Sequence, residues 1–261
     1  MKSKFVATMS IVLVLGLLTA CAGQPLAIFP KNTPTPFPIL LDTSVDIGGH
    51  KLPIKCLGSG EPTIILENGL GSDVYTTSWG DADLFRFYKL GRTCRYLRAG
   101  GNGDVLTQAR TSEDQVKDLH DLLTQTGVPK PYILVGHSIA GLNMVLYTSH
   151  YPDEVAGLVC VDCRPPSYDH PQDFSGGNIE GLDGKASHDQ AQKVTTLGDL
   201  PFVVLVAFTS SNNQAWLSAS ETLSKLSTRG RVEVIPGDHM NIPRNIAVEE
   251  AIKEVIQGIK E

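Results

Sequence analysis

Residues 131–141 read Pro-Tyr-Ile-Leu-Val-Gly-His-Ser-Ile-Ala-Gly, and the fold turns on them. Tyr132, Ile133, Leu134 and Val135 form a short apolar run of strand-forming residues. From Leu142 to Tyr147 the apolar residues instead recur at helical spacing. Between the two lie Gly136, His137, Ser138, Ile139, Ala140 and Gly141, so the chain reads strand, sharp turn, helix, with a serine at the apex. A serine hydroxyl is a weak nucleophile. To react it must stand clear of its neighbours, within reach of a base and beside backbone N–H groups able to hold a developing oxyanion. A tight strand-to-helix turn meets those needs when small residues flank the serine, because strand and helix then approach closely.

This segment resembles the nucleophile elbow of the α/β-hydrolase superfamily, in its form G-H-S-x-G-G, with Ala140 in place of the first of the paired glycines. The resemblance runs from about Ile47 to the C-terminus. It implies an α/β fold, a mostly parallel sheet of about eight strands with helices on both faces, and cleavage of an ester or similar acyl bond through an acyl-enzyme at Ser138. It implies no metal or organic cofactor.

Upstream of the elbow, residues 44–57 read as two strands joined at Gly48-Gly49, and residues 63–67, Thr-Ile-Ile-Leu-Glu, as a strand buried on both faces. That strand runs into Asn68-Gly69-Leu70-Gly71, where glycines permit a tight loop that exposes backbone. In the resembled family this loop carries a His-Gly pair and supplies an oxyanion N–H. Asn68 replaces the histidine here, and the implied donors are the backbone amides of Leu70 and Ile139. Residues 92–97 form the next strand, followed by Arg98-Ala99-Gly100-Gly101-Asn102-Gly103. This resembles the family's Y-D-R-A-G-x-G loop with Leu97 where an aspartate is usual, so a polar tie is missing. Residues 111–124 are expected to form an amphipathic helix capped by Ser112.

Downstream, residues 155–161 and 202–208 read as the sixth and seventh strands and residues 232–235 as the eighth, with a closing helix over 246–259. Strands alternating with helices indicate a doubly wound sheet with its reactive groups at the carboxyl edge. Residues 165–198 are polar, with a weak helix near 186–194; in the family that position holds a cap, here a small one over an open site.

His239 lies in a Gly-containing loop just past the last strand, downstream of Ser138 in the order these hydrolases show, and is the candidate base. His50, His120, His150, His170 and His188 lie in hairpin, helix-surface or loop contexts and read as solvated. His137 is expected to face the other side of the turn, and Asp238 to face away. The family's usual acid position, after the seventh strand, reads Thr-Ser-Ser-Asn-Asn-Gln over 209–214 and holds no carboxylate. Two readings remain: Asp162, at the end of the sixth strand, is the acid, or the triad is incomplete.

Five cysteines are present. In the family's strand order Cys56 and Cys94 are neighbours, which implies a disulfide. Cys160 and Cys163 frame Asp162 and admit a short-range disulfide; no second pair or histidine cluster supports zinc.

Residues 1–20 carry Lys2 and Lys4, then an apolar run from Phe5 to Leu18, which describes a secretory signal too short for a stable membrane span. The ending Leu-Thr-Ala-Cys resembles a bacterial lipobox and implies lipid on Cys21, hence an extracytoplasmic protein held to the cell membrane. Residues 21–41 hold Pro25, Pro30, Pro34, Pro36 and Pro38 and read as an extended spacer. The remaining 42–261, roughly 220 residues, suffice for one single-core domain. A net charge of -6 without a basic run argues against a nucleic-acid partner. The expected partners are a small-molecule ester and the membrane, and the expected state is a monomer. The competing reading is a catalytically impaired surface protein that keeps the fold for binding, favoured by Asn68, Leu97 and the acid loop without a carboxylate.

Overall fold

An eight-stranded sheet forms the body of the protein in the computed structural model, which describes residues 39–71, 78–101, 106, 108–168 and 179–261. The elements in chain order are β1 Ile39–Asp46, β2 Lys51–Leu57, β3 Thr63–Glu67, α1 Asp81–Phe87, β4 Thr93–Tyr96, α2 Ser112–Thr126, β5 Tyr132–His137, α3 Ala140–His150, β6 Val155–Val161, α4 Gly184–Ala191, β7 Phe202–Ala207, α5 Phe208–Ser211, α6 Gln214–Ser224, β8 Gly230–Ile235 and α7 Ile246–Gly258. The strand order is β1-β2-β4-β3-β5-β6-β7-β8. β2 pairs antiparallel with both β1 and β4, and every other pairing is parallel.

The strands read as apolar runs because both faces of the sheet are covered. Side chains alternate across a strand, so Ile65 and Leu134 enter one core while Ile64, Leu66, Ile133 and Val135 enter the other. The first core is closed by Leu119 and Leu122 of α2, Met144 and Leu146 of α3 and Leu223 of α6. The second is closed by Leu84 and Phe87 of α1 and by Val248, Ile252 and Val255 of α7, whose spacing of four and three residues makes one helical stripe. Each such side chain, fully buried, stabilises the fold by roughly 1.5–3 kcal/mol.

Three local expectations are corrected. The sheet starts inside the stretch read as linker, because Ile39, Leu40 and Leu41 already belong to β1. The cap of α2 is Thr111 rather than Ser112: Thr111 Oγ1 accepts from Asp114 N at 3.4 Å and Asp114 Oδ2 accepts from Thr111 N at 2.8 Å. Ser112 is the first helical residue, and its backbone N–H donates to Ser187 Oγ at 2.9 Å. The helix expected near 186–194 starts two residues earlier and ends three residues earlier, at Gly184–Ala191, where Asp183 caps it through Ala186 N.

The described residues fall in one compact unit spanning Phe37–Glu261. The residues read as a signal sequence, Cys21, most of the stretch read as a spacer, His170 and the middle of the stretch read as a cap lie outside the described residues. Among the described residues no helix is long and apolar enough to cross a membrane.

Candidate active site

β5 delivers Ser138 at a turn with φ of 58°, a left-handed conformation that a non-glycine residue adopts at a cost of about 1–3 kcal/mol. The turn is held by its own backbone. Ser138 O accepts from Gly141 N at 3.1 Å and from Arg164 N at 2.6 Å. The small residues have steric reasons. A Cβ on Gly136 would lie 2.3 Å from Met144 Sδ and 2.9 Å from Ala140 Cβ, so strand and helix touch there, and the methyl of Ala140 already fills the gap. A Cβ on Gly141 would lie 2.7 Å from Arg164 O.

The loop after β8 carries His239 back to the serine. Its Nε2 is 3.0 Å from Ser138 Oγ, and its Nδ1 is 2.7 Å from Asp162 Oδ2. Asp162 accepts at that contact, so the proton sits on Nδ1 and Nε2 is left to accept from the serine hydroxyl. The structure thus brings together the three side chains singled out in the sequence.

Asp162 follows directly on β6 with φ of 45° and is 1% exposed. A buried carboxylate needs donors, and it has four. Oδ1 accepts from Ala207 N at 3.1 Å and Trp216 Nε1 at 3.2 Å. Oδ2 accepts from Ser210 Oγ at 2.5 Å and from His239. Ala207, Ser210 and Trp216 all come from the end of β7 and the residues after it, the segment in which the sequence offered no acid. That segment contributes donors to a carboxylate supplied by the neighbouring strand. Nothing in the local sequence marked Ser210 or Trp216, because the link to Asp162 spans 48 and 54 residues.

The loop after β3 lies on the other side of Ser138. Leu70 and Ile139 line the same cavity as Ser138, His239, Arg164 and Trp216, a space of about 320 Å³. The backbone N–H of neither Leu70 nor Ile139 donates to a described residue, and Ile139 heads α3, where amides have no intrahelical partner. Asn68, in the place of the family's histidine, is 3% exposed. Its Oδ1 accepts from Trp79 N at 2.8 Å, which makes it part of the loop's internal frame.

His137, which the sequence reading set on the other side of the turn and gave no role, packs against His239 with ring centroids 4.6 Å apart. Its Nε2–H donates to the carbonyl of His239 at 2.8 Å, while Nδ1 accepts from Ser78 Oγ at 2.7 Å. Burial, with the charge of His239 acting in the same direction, lowers its pKa to about 4, so the ring is neutral and this tautomer is fixed. It braces the His239 loop from behind. Asp238 turns outward and accepts from Met240 N and Asn241 N, both at 3.0 Å.

Two other histidines are not solvated, contrary to expectation. His188 is 5% exposed, because α4 packs on α2 and α3. His50 Nε2 lies 2.8 Å from Asp118 Oδ2. His120 is partly covered and stacks on Tyr151 with ring centroids 3.9 Å apart, and His150 is exposed.

Cys56 and Cys94 face each other in the β2–β4 register and are joined as a disulfide. Cys160 and Cys163 are also paired, on either side of Asp162. Among the described residues no group of three or more His, Cys, Asp or Glu side chains is placed to hold a metal ion.

A sharp strand-to-helix turn carrying Ser138 after the fifth strand, His239 after the eighth and a mostly parallel eight-stranded sheet make up the α/β-hydrolase fold, and the chain has that fold. A family model described as alpha/beta hydrolase fold matches residues 73–198. The chain is 27% identical over 143 residues to the uncharacterized protein YbdG of Bacillus subtilis (strain 168), covering 54% of this chain and 42% of that protein. It is 33% identical over 140 residues to the sn-1-specific diacylglycerol lipase ABHD11 of Mus musculus, covering 51% of this chain and 44% of that one. It therefore spans under half the length of these two relatives. Among solved structures it resembles a thermophilic esterase from Thermogutta terrifontis with a TM-score of 0.62 and 18% identity, over 86% of this chain and 100% of that one.

Proposed function

We propose that the protein is a serine hydrolase of the carboxylesterase type. One observation carries the reading: Ser138 Oγ, His239 and Asp162 form a continuous chain of contacts of 3.0 and 2.7 Å beside the amides of Leu70 and Ile139 in one cavity. Ser138 Oγ attacks the acyl carbonyl carbon as its proton passes to His239 Nε2. The carbonyl π electrons move onto oxygen, where the two amides hold the charge, and each such donor is worth about 10²–10³ in rate. Collapse expels the alcohol, which takes the proton from His239. Water, deprotonated by the same nitrogen, then releases the acid and restores the serine. Asp162 accepts from Nδ1–H and so holds the imidazole in place and stabilises the imidazolium. The buried carboxylate with its four donors supports an enzyme over a binding protein that has lost its chemistry.

The test is labelling of the chain from residue 22 onward with a fluorophosphonate probe, together with turnover of p-nitrophenyl esters. The wild type is expected to label and turn over, and Ser138→Ala to do neither. A folded wild type that remains unlabelled and inert overturns the proposal in favour of a binding role.

We further propose that lipid on Cys21 holds a monomeric catalytic domain to the membrane from outside the cytoplasm, with the proline-rich spacer setting it off the surface. The lipobox-like Leu-Thr-Ala-Cys and the prolines that follow support this reading. Cys21→Ser should move the protein from the membrane fraction to the soluble one; an unchanged distribution overturns it.

A further inference from the structure

The loop that presents Leu70 is gripped from below by a buried charge. Arg98, after β4, is 4% exposed. Its Nη1–H donates to Asn68 O at 2.6 Å and its Nη2–H to Gly69 O at 2.7 Å. The same guanidinium donates from Nε and Nη2 to the Glu180 carboxylate at 2.9 and 3.1 Å. Glu180 Oε1 in turn accepts from Gly71 N at 2.8 Å. Burial works against the charge on Arg98, but Glu180 and Glu67 outweigh it and hold the group firmly protonated.

The direction of these bonds matters more than their number. In a trans peptide the C=O and the following N–H point opposite ways. Gly69 C=O is aimed at Arg98, so Leu70 N–H must aim away from Arg98, toward the cavity that holds Ser138. Gly69 N–H is tied separately, to Ser78 Oγ at 3.1 Å. The peptide planes on both sides of Gly69 therefore have one orientation. Rotation of the Gly69–Leu70 plane would pull its carbonyl off a buried guanidinium and turn that carbonyl, an acceptor, into the place where an oxyanion needs a donor.

Resting on the serine hydrolase reading, we propose that Arg98 and Glu180 are positioning residues that hold the Leu70 amide in the orientation that stabilises the oxyanion. Glu180 comes from the region between β6 and α4, so a segment remote in sequence sets the geometry of the loop after β3. Its backbone packs closely on Gly100, where an added Cβ would lie 2.8 Å from Glu180 Cα. Glu180 gives Arg98 a carboxylate partner where the neighbouring Leu97 offers none.

Arg98→Lys keeps the charge between Glu67 and Glu180, but an ammonium cannot hold two carbonyls and a carboxylate in the planar fork of a guanidinium. In the chain from residue 22, kcat on a p-nitrophenyl ester should fall on the order of 10–100-fold. KM should stay within about twofold and the pH profile of kcat/KM should not move, since His239 and Asp162 are untouched. Affinity for a trifluoromethyl ketone, whose serine adduct carries the oxyanion, should fall by the same factor as kcat/KM. Glu180→Gln, which keeps shape and one acceptor, should show the same pattern more weakly, and it carries the test if Arg98→Lys does not fold. Folded variants within threefold of wild type in kcat, or a loss accompanied by a shifted pH profile, overturn the proposal while leaving the hydrolase reading intact. An inert, unlabelled wild type refutes the hydrolase reading and this proposal with it.

Discussion

Asp162→Asn isolates what the buried carboxylate does, because the donors around it dictate how the amide must sit. Oδ1 faces two groups that can only donate, Ala207 N at 3.1 Å and Trp216 Nε1 at 3.2 Å. The amide oxygen of an asparagine must take that position, so its NH₂ falls where Oδ2 was, against Ser210 Oγ and His239 Nδ1. Ser210 accommodates the change by turning its hydroxyl to accept. His239 has to give up the proton on Nδ1, which places a proton on Nε2, the nitrogen that must receive one from Ser138. The imidazolium also loses its counter-charge. In serine enzymes generally this tautomer error costs on the order of 10⁴ in kcat, about 5 kcal/mol of barrier. The assay is initial-rate hydrolysis of p-nitrophenyl esters, with fluorophosphonate labelling rate as a second readout and thermal melting as the control for fold. A folded Asp162→Asn protein within tenfold of wild-type kcat/KM refutes the argument.

His137 should couple stability to pH. Its pKa is held at about 4 in the fold against about 6.5 in an unfolded chain, so its contribution is fully present above pH 6.5 and is lost as pH falls toward 4. The span corresponds to about 3 kcal/mol. In urea melts, the stability difference between wild type and His137→Gln should shrink by that order between pH 7 and pH 4, and a difference independent of pH contradicts the assignment. The Cys56–Cys94 bridge spans 38 residues, a loop whose closure restricts the unfolded chain by about 4 kcal/mol. In a Cys160→Ser/Cys163→Ser background, reduction should lower the denaturation midpoint accordingly, and an unchanged midpoint with intact thiol titration rules the bridge out.

The fold was legible because its signals are local. Short apolar runs, the Gly136-His137-Ser138 turn and the helical stripe of α7 each specify an element within a dozen residues. Boundaries slipped where a competing local choice won, as at Thr111, whose capping box with Asp114 outbids Ser112. Serine and histidine were legible too, since both sit at the carboxyl ends of recognisable strands, as a doubly wound sheet requires.

The candidate acid was not readable in the same way. Asp162 is one of many aspartates in the chain until the sheet sets β6 between β5 and β7. Only then do the donors of Ala207, Ser210 and Trp216 converge on it and hold a charge in the interior. The same holds for Arg98 and Glu180, which are 82 residues apart and meet beneath the Gly69–Leu70 peptide, and for the brace that His137 places behind His239. Strand, turn and helix follow from residue type and spacing, which act over a few positions of the chain. The direction in which a carboxylate, an imidazole or an amide points is set by hydrogen bonds between segments that touch only after the sheet has closed around them.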